Sequence, residues 1–158
     1  DLFRDHAVIL TPAAETDPAA VAAVRRLWES AGARVAEMDV ERHDRVLAAT
    51  SHLPHVLAYT LVDSIAGGPE GEAVLRYAAG GFRDFTRIAS SDPGMWRDIC
   101  LANRARLLEV LRAFDTDLHR VIDMIQRGDA DGLNEVFERG KAVRDRFGFG
   151  SGGGSGRP

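Results

Sequence analysis

Apolar residues across positions 41–66 fall at Val46, Leu53, Val56, Leu57, Leu61 and Ile65, the three-and-four spacing of a helix with one buried face. Pro54 lies inside that run. It has no N–H to donate and its ring crowds the carbonyl of Thr50 four residues back, so a kink or a locally widened turn is expected. Ser51, His52 and His55 sit within one turn of the defect, and spacings of three and four place them side by side. A hydroxyl and two imidazoles beside a freed carbonyl make a polar notch in an apolar rod. Such a notch is either a hydrogen-bonded core network or a ligand site.

On the N-terminal side, residues 6–11 are short, apolar and β-branched, and Pro12 closes them, which predicts a buried strand. Thr16 or Asp17 can cap a helix with Pro18 in its first turn and an apolar face of Val21, Val24, Leu27 and Trp28. That helix ends at Ala31-Gly32-Ala33, residues 34–38 alternate as a second strand, and Asp39 leads into the kinked helix. Strand, helix and strand in so short a span form a parallel crossover, which needs neighbouring strands that the sequence does not supply. Residues 1–40 therefore read as the trailing edge of an α/β domain, and the chain opens on Asp1 rather than methionine, as a fragment or a processed product does.

Beyond the kinked helix the pattern is helical throughout, so the fold class is mainly α with a small βαβ piece in front. Residues 67–71 form a turn, 72–79 a short helix, and Gly80-Gly81 is its expected end. Asp92 caps and Pro93 opens the longest pattern, running to about Arg127. Its stripe is Trp96, Cys100, Leu107, Leu111, Phe114, Leu118, Ile122 and Ile125, interrupted only by Asn103 and widened by Val110, Val121 and Met124. As one helix it would be about 50 Å long, and so broad an apolar face predicts a helical homodimer. Asp129 caps a last helix through Leu133, Val136, Phe137, Val143 and Phe147, and residues 148–158 read as a flexible Gly/Ser tail. The expected division is thus 1–40, 41–147 and 148–158.

Composition narrows the function classes. A chain of 158 residues, 45% hydrophobic and 28% charged, suits one main globular domain. Its net charge of −4, with basic residues scattered, argues against nucleic acid as a partner. A single cysteine, Cys100, at an apolar helical position suits a reducing, cytoplasmic setting, and no apolar run is long enough for a membrane span.

Taken together, several strings are similar to one family. They are Leu2-Phe3-Arg4-Asp5-His6 with Val8-Ile9-Leu10-Thr11-Pro12, then His43-Asp44, Ser51-His52-Leu53-Pro54-His55, Gly81-Phe82-Arg83-Asp84-Phe85-Thr86-Arg87-Ile88-Ala89, and Trp96. In order and separation they resemble the C-terminal part of the prephenate, arogenate and cyclohexadienyl dehydrogenases, over roughly residues 1–147. The resemblance implies an oxidoreductase of tyrosine biosynthesis that oxidatively decarboxylates prephenate, or its amino analogue arogenate, and passes hydride to NAD or NADP. It implies a Rossmann-type dinucleotide-binding domain followed by an all-helical dimerisation domain, with the active site between them. The sequence departs from the full pattern in having no glycine-rich phosphate loop and no His-Pro motif with the family's catalytic histidine. The expectation is therefore an inactive chain with no catalytic base and no tightly bound dinucleotide.

The same resemblance assigns roles. Arg87 is expected to hold a substrate carboxylate through paired hydrogen bonds, against the alternative of an ion pair with Asp84 three residues earlier. His52 and His55 line the substrate pocket, with Ser51 adding a donor, and one histidine of this motif is linked in the family to inhibition by tyrosine. Their alternatives are a network that satisfies carbonyls freed by Pro54, or a metal site, for which the pair lacks further ligands at suitable spacing. His43 matches a pocket histidine or is a solvated residue near a helix start. Asp84 and Trp96 are expected to support or gate the site, or else to be an ion-pair partner and a core aromatic. The rival reading of the whole is a standalone helical module that dimerises or senses an aromatic amino acid without catalysis.

Overall fold

A computed structural model describes residues 2–148, which fall in two compact units divided between Leu111 and Arg112. Most of the tail expected from Gly148 onward lies outside the described residues.

The first unit opens with the expected crossover. Strand β1 (Ala7–Leu10) runs parallel to β2 (Arg34–Glu37), with Ala7 opposite Arg34 and Leu10 opposite Glu37. Helix α1 (Pro18–Ser30) connects them. Of the two candidate caps, Asp17 does the capping, its carboxylate accepting from the Ala19 amide at 2.9 Å, while the Thr16 hydroxyl accepts from Ala13 in the preceding turn. Arg25 of α1 donates to the Val35 carbonyl and to the Glu37 carboxylate, fastening the helix to β2.

Helix α2 (Val40–Leu47) starts at Asp39, whose carboxylate accepts from the Arg42 amide at 2.8 Å. The widened turn expected at the proline is present as a π-helical segment, Ala48–His52, in which the Leu53 amide reaches back to the Ala48 carbonyl. Helix α3 (Leu53–Ala66) follows, with Pro54 in its first turn, where a missing N–H leaves no intrahelical bond unmade. Ala48 and Ala58 are wholly buried along this rod, so neighbouring elements approach its backbone closely.

Two expectations need correction. Helix α4 (Gly71–Arg76) stops short, and Gly80-Gly81 does not close it but opens helix α5 (Gly80–Thr86), which continues into a 3-10 turn, Arg87–Ser90. Residue 79 is extended, so the glycines sit on the helical side of the boundary, where their signal is ambiguous. The long C-terminal helix is two: α6 (Pro93–Ala102) and α7 (Arg104–Arg127), broken at Asn103. Asn103 leaves helical geometry at φ −102° and ψ 29° and donates its side-chain N–H to the Asp44 carbonyl at 2.7 Å. Helix α7, at 24 residues, is about 36 Å long rather than 50.

The second unit contains the rest of α7 and helix α8 (Ala130–Phe147), capped by the Asp129 carboxylate on the Gly132 amide and closed by a left-handed Gly148. Much of its apolar surface is uncovered: Ile125 is 61% and Phe137 is 63% exposed, with Leu118, Ile122 and Phe147 also open. Faces of this kind mark association surfaces.

Gly71 is buried where α4 meets the end of α3, and a Cβ there would lie within 2.7 Å of the Ile65 carbonyl and closer still to that of Ala66. Gly71→Ala is expected to cost about 1–3 kcal/mol, read as a lower urea midpoint. Gly80, with open space around its Cβ direction, is the control, and equal midpoints for Gly71→Ala and Gly80→Ala would show that the close approach is not a constraint.

Candidate functional site

The π-helical segment ends on His52, the single buried polar or charged residue among the described residues, at 8% exposure. Its Nδ1 lies 3.4 Å from Nδ2 of Asn103, the amide that also holds the Asp44 carbonyl. Burial pushes the His52 imidazole below its ordinary pKa. Asp44 opposes that shift, while His43 and His55 add to it. His43 lies beside this cluster, its Nδ1 3.0 Å from the Asp44 carboxylate.

One turn on, His55 donates from Nδ1 to the Ser51 carbonyl at 2.9 Å. Ser51 thus takes part through its backbone carbonyl, which is not the Thr50 carbonyl that Pro54 crowds. Trp96 of α6 joins the two histidines: its ring is stacked on His55 with centroids 3.5 Å apart and planes 18° apart, and it meets His52 edge-on at 6.2 Å. Its indole Nε1 is the one buried side-chain N or O atom without a hydrogen-bond partner among the described residues. Trp96 is half-buried and in contact with both candidate imidazoles.

Arg87 opens the 3-10 turn that packs against α3. The turn is tied there by Tyr59, one helical turn beyond His55, whose hydroxyl donates to the Ser91 carbonyl at 2.6 Å. The Asp84 pairing expected as the alternative is not formed. Among the described residues Arg87 is exposed and its guanidinium has no hydrogen bond, ion pair or ring contact. The structure therefore brings His52, His55 and Trp96 together with His43 at their margin, and leaves Arg87 on an adjoining turn. Sequence reasoning missed Asn103 and Tyr59. The single polar residue in an apolar stripe was a usable signal for Asn103, whereas Tyr59 gave none.

No three His, Cys, Asp or Glu side chains converge as metal ligands among the described residues. The β1–α1 connection does not suit a dinucleotide pyrophosphate either. It contains no glycine, and the α1 N-terminus, where such an anion would rest, is already occupied by the Asp17 carboxylate.

A parallel crossover followed by a helical region that gathers imidazoles around a tryptophan defines a mainly helical domain preceded by a small βαβ piece. Residues 39–139 match the family of the prephenate dehydrogenase dimerization domain, and residues 1–37 match the prephenate dehydrogenase nucleotide-binding domain. The chain belongs to the prephenate dehydrogenase family. It is 45% identical over 146 residues to the cyclohexadienyl dehydrogenase of Zymomonas mobilis, covering 91% of this chain and 50% of that protein. Against the prephenate dehydrogenase of Bacillus subtilis the identity is 39%, over 91% of this chain and 39% of that protein. The chain thus spans half or less of the length of these relatives. Its fold matches a crystal structure of the Aquifex aeolicus prephenate dehydrogenase in complex with hydroxyphenyl propionate and NAD+, at a TM-score of 0.81 and 40% identity, covering 89% of this chain and 50% of that one.

The lowered pKa of His52 fixes a sign. Above the unfolded value of about 6.5 the residue is neutral in both states, and its native contacts contribute fully. As pH falls below that value the unfolded chain takes up a proton that the folded one resists, so stability is lost until the folded pKa is passed. The stability difference between wild type and His52→Gln is expected to shrink between pH 7.5 and pH 5, read by urea unfolding at each pH. A difference that stays constant over that range would show that His52 is not protected from protonation.

Proposed function

We propose that this chain is the substrate-binding and dimerising portion of a prephenate or arogenate dehydrogenase. In the complete enzyme prephenate is oxidatively decarboxylated to 4-hydroxyphenylpyruvate and hydride passes to NAD or NADP. The observation that carries this reading is the cluster of His52, His55 and Trp96 beside a turn that presents an unpaired guanidinium, Arg87. Prephenate carries one carboxylate on its ring and a second on its side chain. A guanidinium without a protein partner is free to take one of them through two parallel hydrogen bonds. The imidazoles supply directed polar contacts, and the flat Trp96 and His55 rings give a six-membered ring a wall.

The ligand in the similar Aquifex structure, hydroxyphenyl propionate, has the same combination of ring and carboxylate and supports this chemistry. The dinucleotide accepts hydride when bound. The residues of this chain do not suit its pyrophosphate, so their part is to bind and orient the substrate, and the chain alone is inactive. The uncovered apolar faces of α7 and α8 are where two copies associate, in line with the matched dimerization domain.

In the complete enzyme, Arg87→Lys is expected to raise KM for prephenate by about tenfold or more, about 1.4 kcal/mol, because a point charge cannot reproduce the two-bond grip. An unchanged KM would remove Arg87 from the site and with it the main support for the substrate assignment. Sedimentation equilibrium of the chain at micromolar concentration is expected to show a dimer, and a monomer alone would contradict the assigned interface.

A further inference from the structure

The break at Asn103 has a chemical use beyond ending a helix. Its side-chain Nδ2 lies 2.7 Å from the Asp44 carbonyl, an atom that can only accept. Turning the amide over would set two oxygens against each other at that distance, so the NH2 group must face Asp44. The same NH2 group faces Nδ1 of His52 at 3.4 Å, and it has no acceptor to offer. A proton on Nδ1 would oppose N–H to N–H. A neutral His52 therefore carries its proton on Nε2.

His55 is held the other way. Its Nδ1 is 2.9 Å from the Ser51 carbonyl, which again can only accept, so a neutral His55 carries its proton on Nδ1 and keeps a lone pair on Nε2. Trp96 contacts both rings, so the two nitrogens left over, one a donor and one an acceptor, belong to a single cluster.

We infer that Asn103 is a positioning residue that locks His52 in the Nε2–H tautomer, so that the His52 and His55 pair offers a ligand one fixed donor and one fixed acceptor. Two further contacts favour the arrangement. Asn103 keeps the backbone on both sides in register, donating its own amide to Ile99 and accepting from Leu107 at its carbonyl. Arg106, two residues into α7, lies 3.9 Å from Glu41 of α2 and gives a second tie between the same two helices. Burial of His52 disfavours a second ring proton, with His43 and His55 acting in the same direction and Asp44 against it. The use of these nitrogens by prephenate rests on the proposed function, but the tautomers do not.

The test is a long-range nitrogen–proton NMR spectrum of the ligand-free chain labelled with 15N-histidine, near pH 7.5, with the five histidines assigned by single His→Gln variants. The expected wild-type spectrum shows His52 protonated only on Nε2 and His55 only on Nδ1. In Asn103→Leu the His52 signals are expected to move to values averaged over both tautomers while those of His55 stay. In Asn103→Asp, where the side chain can only accept, the His52 proton is expected to shift toward Nδ1 and its pKa to rise. A wild-type His52 protonated on Nδ1, or already averaged, overturns the inference without any variant, and so does a His52 pattern unchanged in Asn103→Leu. Should Asn103→Leu fail to fold, which loss of the His55 pattern would reveal, Asn103→Asp carries the comparison. A correct tautomer combined with an unchanged KM in Arg87→Lys would keep Asn103 in its role and remove the substrate reading, and the reverse pair of results would do the opposite.

Discussion

The hydrogen bond that Pro54 cannot make governs the middle of this chain. A regular helix over positions 41–66 would need an N–H at residue 54, and the chain accommodates its absence by widening the preceding turn into the π-helical segment Ala48–His52. The extra residue in that turn re-aims the side chains that follow. His52 is carried inward until it is nearly buried, against Asn103 on one side and the edge of Trp96 on the other. His55, just past the proline, turns its Nδ1 back to the Ser51 carbonyl. Without the proline both imidazoles would sit on an ordinary amphipathic rod with no reason to meet a tryptophan.

The packing around this defect is not arranged for stability alone. Leaving a buried indole N–H unpaired costs about 1–3 kcal/mol, and Trp96 Nε1 is in that position. Stacked ring pairs contribute about 0.5–1.5 kcal/mol beyond their buried area, which offsets only part of it. The wholly buried residues nearby, Ala48 and Ala58, are small and supply closeness rather than apolar volume. The ring cluster is held by backbone carbonyls and one side-chain amide, which fix the orientation of its donors and acceptors.

Local chemistry made much of the fold legible. The aspartate caps at positions 17, 39, 92 and 129 all accept amide hydrogens as their sequence context predicts, and prolines stand in the first turn after two of them. The parallel crossover followed from two short apolar runs around a capped helix. What failed was non-local or ambiguous. Asn103 looked like an interruption in one long stripe because its partner, the Asp44 carbonyl, is 59 residues away. Gly80-Gly81 carries the same signal at the end of one helix as at the start of the next. The Asp84–Arg87 pair assumed α-helical spacing, but the chain leaves that geometry at Arg87 for a 3-10 turn.

Electrostatics sets apart two places in the first unit. Helix N-termini attract anions through their unpaired amides, yet the α1 N-terminus is filled by the Asp17 carboxylate, whose charge opposes a phosphate there. Arg87 is the reverse case: a guanidinium on a short turn, fastened to α3 through Tyr59 and Ser91, with no protein carboxylate among the described residues to neutralise it. Holding a cation in place without a partner brings no stability of its own, since even exposed ion pairs contribute at most about 1 kcal/mol. In the proposed reading its worth is to a ligand that brings the missing charge. Polarity is thus divided, with an unpaired guanidinium on one segment and the oriented imidazoles on the other. A ligand that engages both must carry an anionic group and a hydrogen-bonding group on the same small frame.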